Sequence, residues 1–406
     1  MRYTDAVERT DEAEPGKNTV IVAGCTHGGL SAIRSYGRAG RRVVAMTYNP
    51  DEPALRSRHV DEIAICPHPQ DEDEFIRYLL DRAAEWSGAF LLDTNDYYAT
   101  AMSRHKEALA AHYHLVVPDW DVARIFIEKD RTYELAGRVG VEHPKFLQPR
   151  TRAELEDVID QLTFPVMVKP VRSHEFVRVF RTKLFTVDDA EGLRDRFEAT
   201  LEAGTPVVIC EIIPGTDYRT LERVSLYIDT TGEIAAEIHN TKLRQTPPMF
   251  GMCKAGVTTP PVPEVLTESK KLLDACDFRG LAAVEFKRDP RDGRLKLIEV
   301  NVRVLADMQH AISAGVDLPA IVYDDIVEGR QHPRQVAEAD VFYVHMQTDL
   351  FELFSKEKDR LRNARRLLEP YLARRRSYAF FSLRDPMPFL EELRVRVRRF
   401  ARKKLA

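Results

Sequence analysis

Glu285, Glu299 and Asn301, which fall near the end of one expected hairpin, are the residues whose types and spacing best match a chemistry. Alternate residues of a strand share a face, so Glu299 and Asn301 project to one side, and a partner strand can bring Glu285 alongside. Two carboxylates and an amide oxygen suit a hard divalent cation such as magnesium, holding a nucleoside triphosphate. A solvated strand face could carry the same residues. The apolar stretches at 281–284 and around 297–300 instead place the acids in largely buried strands, where an unpaired charge is costly and a cation relieves it.

Lys169 ends an apolar run, FPVMVKP at 164–170, that delivers one ammonium and stops at Pro170. It reads either as a fixed cation for phosphate oxygens or as an edge-strand charge. The loop expected at 172–175 lacks the glycines of a phosphate-binding loop, and no GxxxxGK[ST] occurs, so phosphates would be held by side chains and metal with some loop amides. GCTHGG at 24–29 is not GxGxxG, and no acid closes the strand expected at 42–47, so the ribose-binding signature of a dinucleotide fold is missing. That loop reads as a structural turn or as a contact to a substrate carboxylate or phosphate, with NAD binding as the remaining alternative. DTND at 93–96 follows a strand, at the end where open α/β sheets place ligands, and reads as a helix cap or a substrate contact.

The elements that must position these residues fall into three parts. Residues 18–121 alternate strand and helix (strands at 19–23, 42–47, 62–65, 89–92 and 113–117), which predicts an open parallel sheet of Rossmann type. Residues 122–330 change rhythm. Two helices at 121–140 and 151–162 are followed by strands at 165–169 and 178–185, a helix at 187–203, and strands at 207–212, 222–228 and 233–242. A helix at 263–276 and a hairpin at 280–288 and 295–300 complete an antiparallel arrangement in two lobes, 122–205 and 206–330. Residues 331–406 form a basic helical extension.

Composition excludes several classes. With 406 residues, 44% hydrophobic and 31% charged, the chain has length for two or three modules and a sizeable core. Five cysteines, none closer than 23 residues to the next, fit neither a disulfide framework nor a CxxC site, and are expected as buried thiols. The first twenty residues carry acids where a signal peptide needs an apolar centre, so the cytoplasm is the expected location, and residues 1–17 are expected to be a frayed arm.

Six separated motifs, in order, carry a resemblance: EKD at 128–130, FPVMVKP at 164–170, ICEIIPG at 209–215, KLRQ at 242–245 with PPMFG at 247–251, GLAAVEFK at 280–287 and LIEVNVR at 297–303. From about 127 to 329 the chain resembles the ATP-grasp superfamily in its carboxylate-amine ligase branch, and the segment before it is similar to that superfamily's Rossmann-like preceding domain. The resemblance implies ATP and magnesium (or manganese) as cofactors, small carboxylate and amine substrates such as amino acids or peptides, and an acyl-phosphate route to an amide. It also implies roles. Lys129 and Lys169 would contact phosphates; Glu211, Ile212 and Ile213 would form the hinge that binds adenine, with the Glu211 carboxylate on its exocyclic amine. Glu285, Glu299 and Asn301 would ligate the metal. Arg303 would face the γ-phosphate, and Lys242 and Arg244 would reach toward phosphate or substrate carboxylate. Relatives have Asp-Lys and Asn-Pro-Arg where this chain has Glu128-Lys129 and Asn301-Val302-Arg303. The alternatives are a nucleotide-binding regulator without turnover and an NAD-dependent oxidoreductase.

The total net charge of -4 hides an imbalance: residues 351–406 carry 17 Lys+Arg against 7 Asp+Glu, leaving the first 350 residues acidic. Leu390, Leu393, Val397 and Phe400 form one helical stripe among Arg394, Arg396, Arg398, Arg399, Arg402, Lys403 and Lys404. The stripe is expected to pack on the acidic body of the same chain or a dimer mate; the alternative is docking to an anionic membrane or an acidic carrier. A nucleic-acid partner is not expected, since no aromatic platform accompanies the basic cluster.

Overall fold

The computed structural model describes residues 16–171, 173–215, 218–246, 251–353 and 360–405, with no side-chain account at 173–175, 178, 350–353, 360–365 and 399–405. The expected arm before residue 16 and the motif residues 247–250 lie outside the described residues.

Five parallel strands open the chain: β1 (Thr19–Ala23), β2 (Arg42–Thr47), β3 (Glu62–Ile65), β4 (Phe90–Asp93) and β5 (His114–Leu115). Their order is β3-β2-β1-β4-β5, so the chain reverses direction across the sheet between β1 and β4. β1 and β2 are apolar on both faces because helices cover both sides. Four antiparallel strands follow in the order β6-β9-β7-β8: β6 (Phe146–Leu147), β7 (Val166–Pro170), β8 (Phe185–Val187) and β9 (Val207–Glu211). The lobe boundary expected at 205 is therefore too early, since β9 hydrogen-bonds both β6 and β7. The strand expected at 178–185 is also corrected. Residues Ser173–Phe180 are helical, with Phe176 buried against Phe180 and Phe185.

An eight-stranded sheet completes the fold: β10 (Leu221–Ile228), β11 (Ile234–Thr246), β12 (Met252–Thr258), β13 (Gly280–Arg288), β14 (Leu295–Asn301), β15 (Gln335–Val336), β16 (Phe342–Val344) and β17 (Arg376–Tyr378). The order is β14-β13-β10-β11-β12-β16-β17, with β15 beside β11. The boundary expected at 330 does not divide this sheet, because β16 and β17 extend it from beyond that point.

One apolar core is shared by the parallel sheet and the large sheet: Val20, Val22 and Leu30 pack in it with Tyr227, Ile238, Leu281 and Val322. Tyr36 donates to the Pro319 carbonyl at 3.0 Å, and Ser35 to Asp317 at 2.6 Å. The small sheet has a separate core around Val168, Phe176, Phe197 and Ile209.

The helix Met387–Leu405 reverses an expectation. It lies on the turn Pro53–Arg56 and is seated by Phe389, Glu392 and Val395, while Leu390, Leu393 and Val397 face outward. Both rows have helical spacing, and a buried Arg34–Asp385 pair, 2.9 Å, anchors the chain just before the helix. The Phe400 side chain and the basic side chains from 399 onward are outside the described residues.

Two buried histidines meet where this C-terminal segment joins the first sheet, His27 and His345, with ring centroids 5.0 Å apart. Burial pushes His27 down to about 4; Asp307 opposes the fall, and Arg396 and Arg303 add to it. Burial, then His27 and Arg396, push His345 down to about 2. Both pKa values lie below the unfolded value of 6.5, so the stability tied to the neutral rings is complete above pH 6.5 and is lost as pH falls toward 4. The slope should be about 1.4 kcal/mol per pH unit per histidine. Asp93, raised by burial to about 7, acts in the opposite sense. Urea midpoints measured across this range should flatten in the His27→Gln/His345→Gln variant, and an unchanged slope would refute the assignment.

Candidate active site

A cleft of about 500 Å³ separates the small sheet from the large one and reaches the loop after β4. Its floor is the β13–β14 pair. Glu285 lies directly opposite Glu299, and Asn301 opposite Ala283, so the three oxygen ligands sit side by side on one face. Among the described residues, no three His, Cys, Asp or Glu side chains converge to hold a metal. Two carboxylates plus an amide fit magnesium in the way it is commonly held, with phosphates and water completing the shell.

Cations surround these acids. Lys242 donates to Glu285 at 2.8 Å and Lys129 lies 3.9 Å from Glu299. Arg223 stands 3.7 Å from Glu285 and also pairs with Asp307. Arg303 pairs with Asp96 and donates to Asn301 Oδ1 at 3.1 Å. Desolvation in the cleft raises the Glu299 carboxyl, but Lys129 and Lys242 outweigh it and hold it below the usual range. Desolvation likewise raises Asp96, and Arg303 more than reverses the effect. For Lys242, burial lowers the ammonium and Glu285 lifts it above its ordinary value. Glu285, Glu299 and Asp96 thus each have a base beside them, Lys242, Lys129 and Arg303 in turn.

Lys169 enters from β7 and donates to the Tyr133 hydroxyl at 3.4 Å. Opposite it, the segment after β9 brings Glu211 and Ile213 to the cleft wall. The Ile212 side chain turns instead into the cluster of Tyr133, Met167 and Cys210, leaving its main chain to offer a ligand. Glu211 already spends its carboxylate on the Lys145 amide at 3.2 Å and on Arg291 at 2.6 Å, and Lys287 donates to the Ile213 carbonyl at 2.8 Å. An adenine bound there would exchange partners with Arg291 and Lys287.

Arg244 is not at the cleft, which corrects the expectation for it. The ladder shifts register between Lys242 and Arg244, and the bulge turns Arg244 onto Asp349, both of whose carboxylate oxygens it meets at 2.6 Å. Arg223 and Asp307, which sequence reasoning missed, occupy the position beside Glu285 instead. The only sequence signal for Arg223 is a lone arginine in an otherwise buried strand.

The turn at 24–29 is filled from within. The Cys25 amide donates to the buried Glu52 carboxylate at 2.5 Å, and Gly28 lies against the Leu305 carbonyl, where a Cβ would come within 2.6 Å. Asn95 caps the following helix, accepting from Tyr97 and Tyr98 amides at 3.0 and 3.2 Å. The next residue, Asp96, reaches across to Arg303 and so faces the cleft.

No family model matches the chain. Over 309 residues it is 25% identical to D-aspartate ligase of Enterococcus faecium (strain Aus0004), covering 72% of this chain and 73% of that one. Among solved structures it is similar to L-amino acid ligase from Bacillus licheniformis, with a TM-score of 0.58, 16% identity, and 76% and 74% of the two chains covered. It is also similar to the biotin carboxylase domain of the Hydrogenobacter thermophilus 2-oxoglutarate carboxylase in complex with MgADP (TM-score 0.63, 16% identity, 80% and 73% covered). The fold is that of the ATP-grasp ligases. In this fold the small sheet and the large sheet lie on either side of the cleft, and the five-stranded parallel sheet precedes them in the chain.

Proposed function

We propose that the protein is a magnesium-dependent ligase that joins a carboxylate to an amine and splits ATP to ADP and phosphate. The observation that carries this reading is the cross-strand set Glu285, Glu299 and Asn301, ringed by Lys129, Lys169, Lys242, Arg223 and Arg303 in one cleft. The relatives named as amino acid ligases point to an amino acid as the carboxylate.

Bound magnesium would supply charge neutralisation across the phosphates. The protein's own groups do the rest. Lys129 and Lys169 hold phosphate oxygens in place, and Arg303 meets the charge that builds on the transferred phosphoryl group. A substrate carboxylate oxygen attacks the γ-phosphorus as the bond to the β-γ bridging oxygen breaks, giving ADP and an acyl phosphate. The amine nitrogen then attacks the acyl carbon and phosphate departs with one carboxylate oxygen. Two protons leave the substrate ammonium, one retained by phosphate and one released. Closure around the reacting groups keeps water from the acyl phosphate.

Incubation with ATP, magnesium and a panel of D- and L-amino acids as carboxylates and amines should release ADP and phosphate for particular pairs. Hydroxylamine should trap the activated acid as a hydroxamate. AMP and pyrophosphate as products would overturn the mechanism; thermal stabilisation by ATP with no turnover for any pair would favour a nucleotide sensor.

A further inference from the structure

The helix Met387–Leu405 presents two apolar faces, and the described residues cover only one of them. On the uncovered face, Met387 is 51% exposed, Leu390 52%, Leu393 38% and Val397 65%. These residues run for about 15 Å along the helix. Arg394 and Arg398 are exposed beside the stripe. The helix is held against the body by its opposite face and, just before it, by the buried Arg34–Asp385 pair, so the stripe is held facing outward. No helix among the described residues is long and apolar enough to cross a membrane.

We propose that this outward face docks on the surface of an anionic lipid bilayer. A narrow apolar stripe edged by arginines matches an interface in which side chains enter the acyl boundary while guanidinium groups meet phosphates. Charge decides against a second copy of the chain as occupant. Residues 351–406 carry 17 Lys+Arg against 7 Asp+Glu, so a second copy brought against this segment would present the same excess of positive charge. Headgroup phosphates supply the opposite charge to Arg394 and Arg398, which lie four apart on one side of the stripe. The proposal is independent of the ligase reading, because the surface lies outside the cleft.

The full chain should sediment with vesicles of phosphatidylglycerol and phosphatidylcholine at low salt, and neither with phosphatidylcholine alone nor with either vesicle at about 0.5 M salt. Leu390→Asn/Val397→Asn and Arg394→Glu/Arg398→Glu should each weaken binding by about tenfold or more. Neither changes a buried side chain, and Arg394→Glu loses only the surface pair with Glu391, so thermal midpoints should fall by no more than a few degrees. Absence of wild-type binding, or binding that neither variant weakens, refutes the proposal. A solution dimer that Leu390→Asn/Val397→Asn converts to monomer would assign the stripe to a second copy and overturn it.

Discussion

Glu299→Gln is expected to lower phosphate release from ATP by at least about 10²-fold, with the fold unchanged. The substitution keeps shape and hydrogen bonding but removes the charge that, with Glu285 opposite, would face a divalent cation. Its stability cost should stay within about 0.5 kcal/mol, because the side chain is accessible at the cleft wall and its partner Lys129 is 3.9 Å away. The decisive second measurement is metal binding. Manganese bound in the presence of ADP, read by paramagnetic relaxation, should fall in the variant; wild-type manganese affinity together with wild-type turnover would remove Glu299 from the site.

Arg223→Met should produce the largest loss of stability, about 3 to 5 kcal/mol, and inactivate the protein at the same time. Arg223 is buried between Asp307 and Glu285. Lys242 still neutralises Glu285 in its absence, but Asp307 is left as a buried charge facing an apolar side chain. Burial raises the Asp307 carboxyl and Arg223 outweighs it, which is why the pair is ionised in the folded state. The variant Arg223→Met/Asp307→Leu should regain most of the lost stability without regaining activity. Equal urea midpoints for Arg223→Met and wild type would show that the pair carries no folding energy.

What was legible in the sequence follows from the range of the interactions involved. The shared face of Glu299 and Asn301 was legible because strand alternation is local, and the place of Glu285 beside them because a tight turn at 289–293 returns the chain there. The pairing of β10 with β13 sets Arg223 opposite Glu285, and Asp307, 84 residues away at the start of the helix after β14, reaches it there; no local pattern encodes either contact. Arg244 failed for a different reason. Lys242 and Arg244 are two apart and would share a face in a regular strand, but the intervening bulge breaks that count. The alternation RVFRTKLF at 178–185 was mistaken for a strand where Phe176 and Phe180, four apart, already marked a helix. In the C-terminal helix, two rows of helical spacing were present, and which one turns inward depends on packing against the distant Pro53–Arg56 turn, which helical spacing does not encode.

The parallel sheet and the large sheet share one core, whereas the small sheet keeps its own. Cooperativity follows such cores rather than the order of the chain, so the protein should open as two units with different free energies. The small sheet is tied to the rest through the helix Lys129–Val139, whose Tyr133 belongs to the small cluster around Met167 while Leu135 and Ala136 belong to the outer core of the large sheet. A single helix therefore spans both units and begins at Lys129, one of the cleft's cations. Amide exchange in β7 and β9 can then proceed through an excursion that leaves β1 and β13 protected, and a nucleotide gripped between the sheets would suppress that excursion in proportion to its affinity.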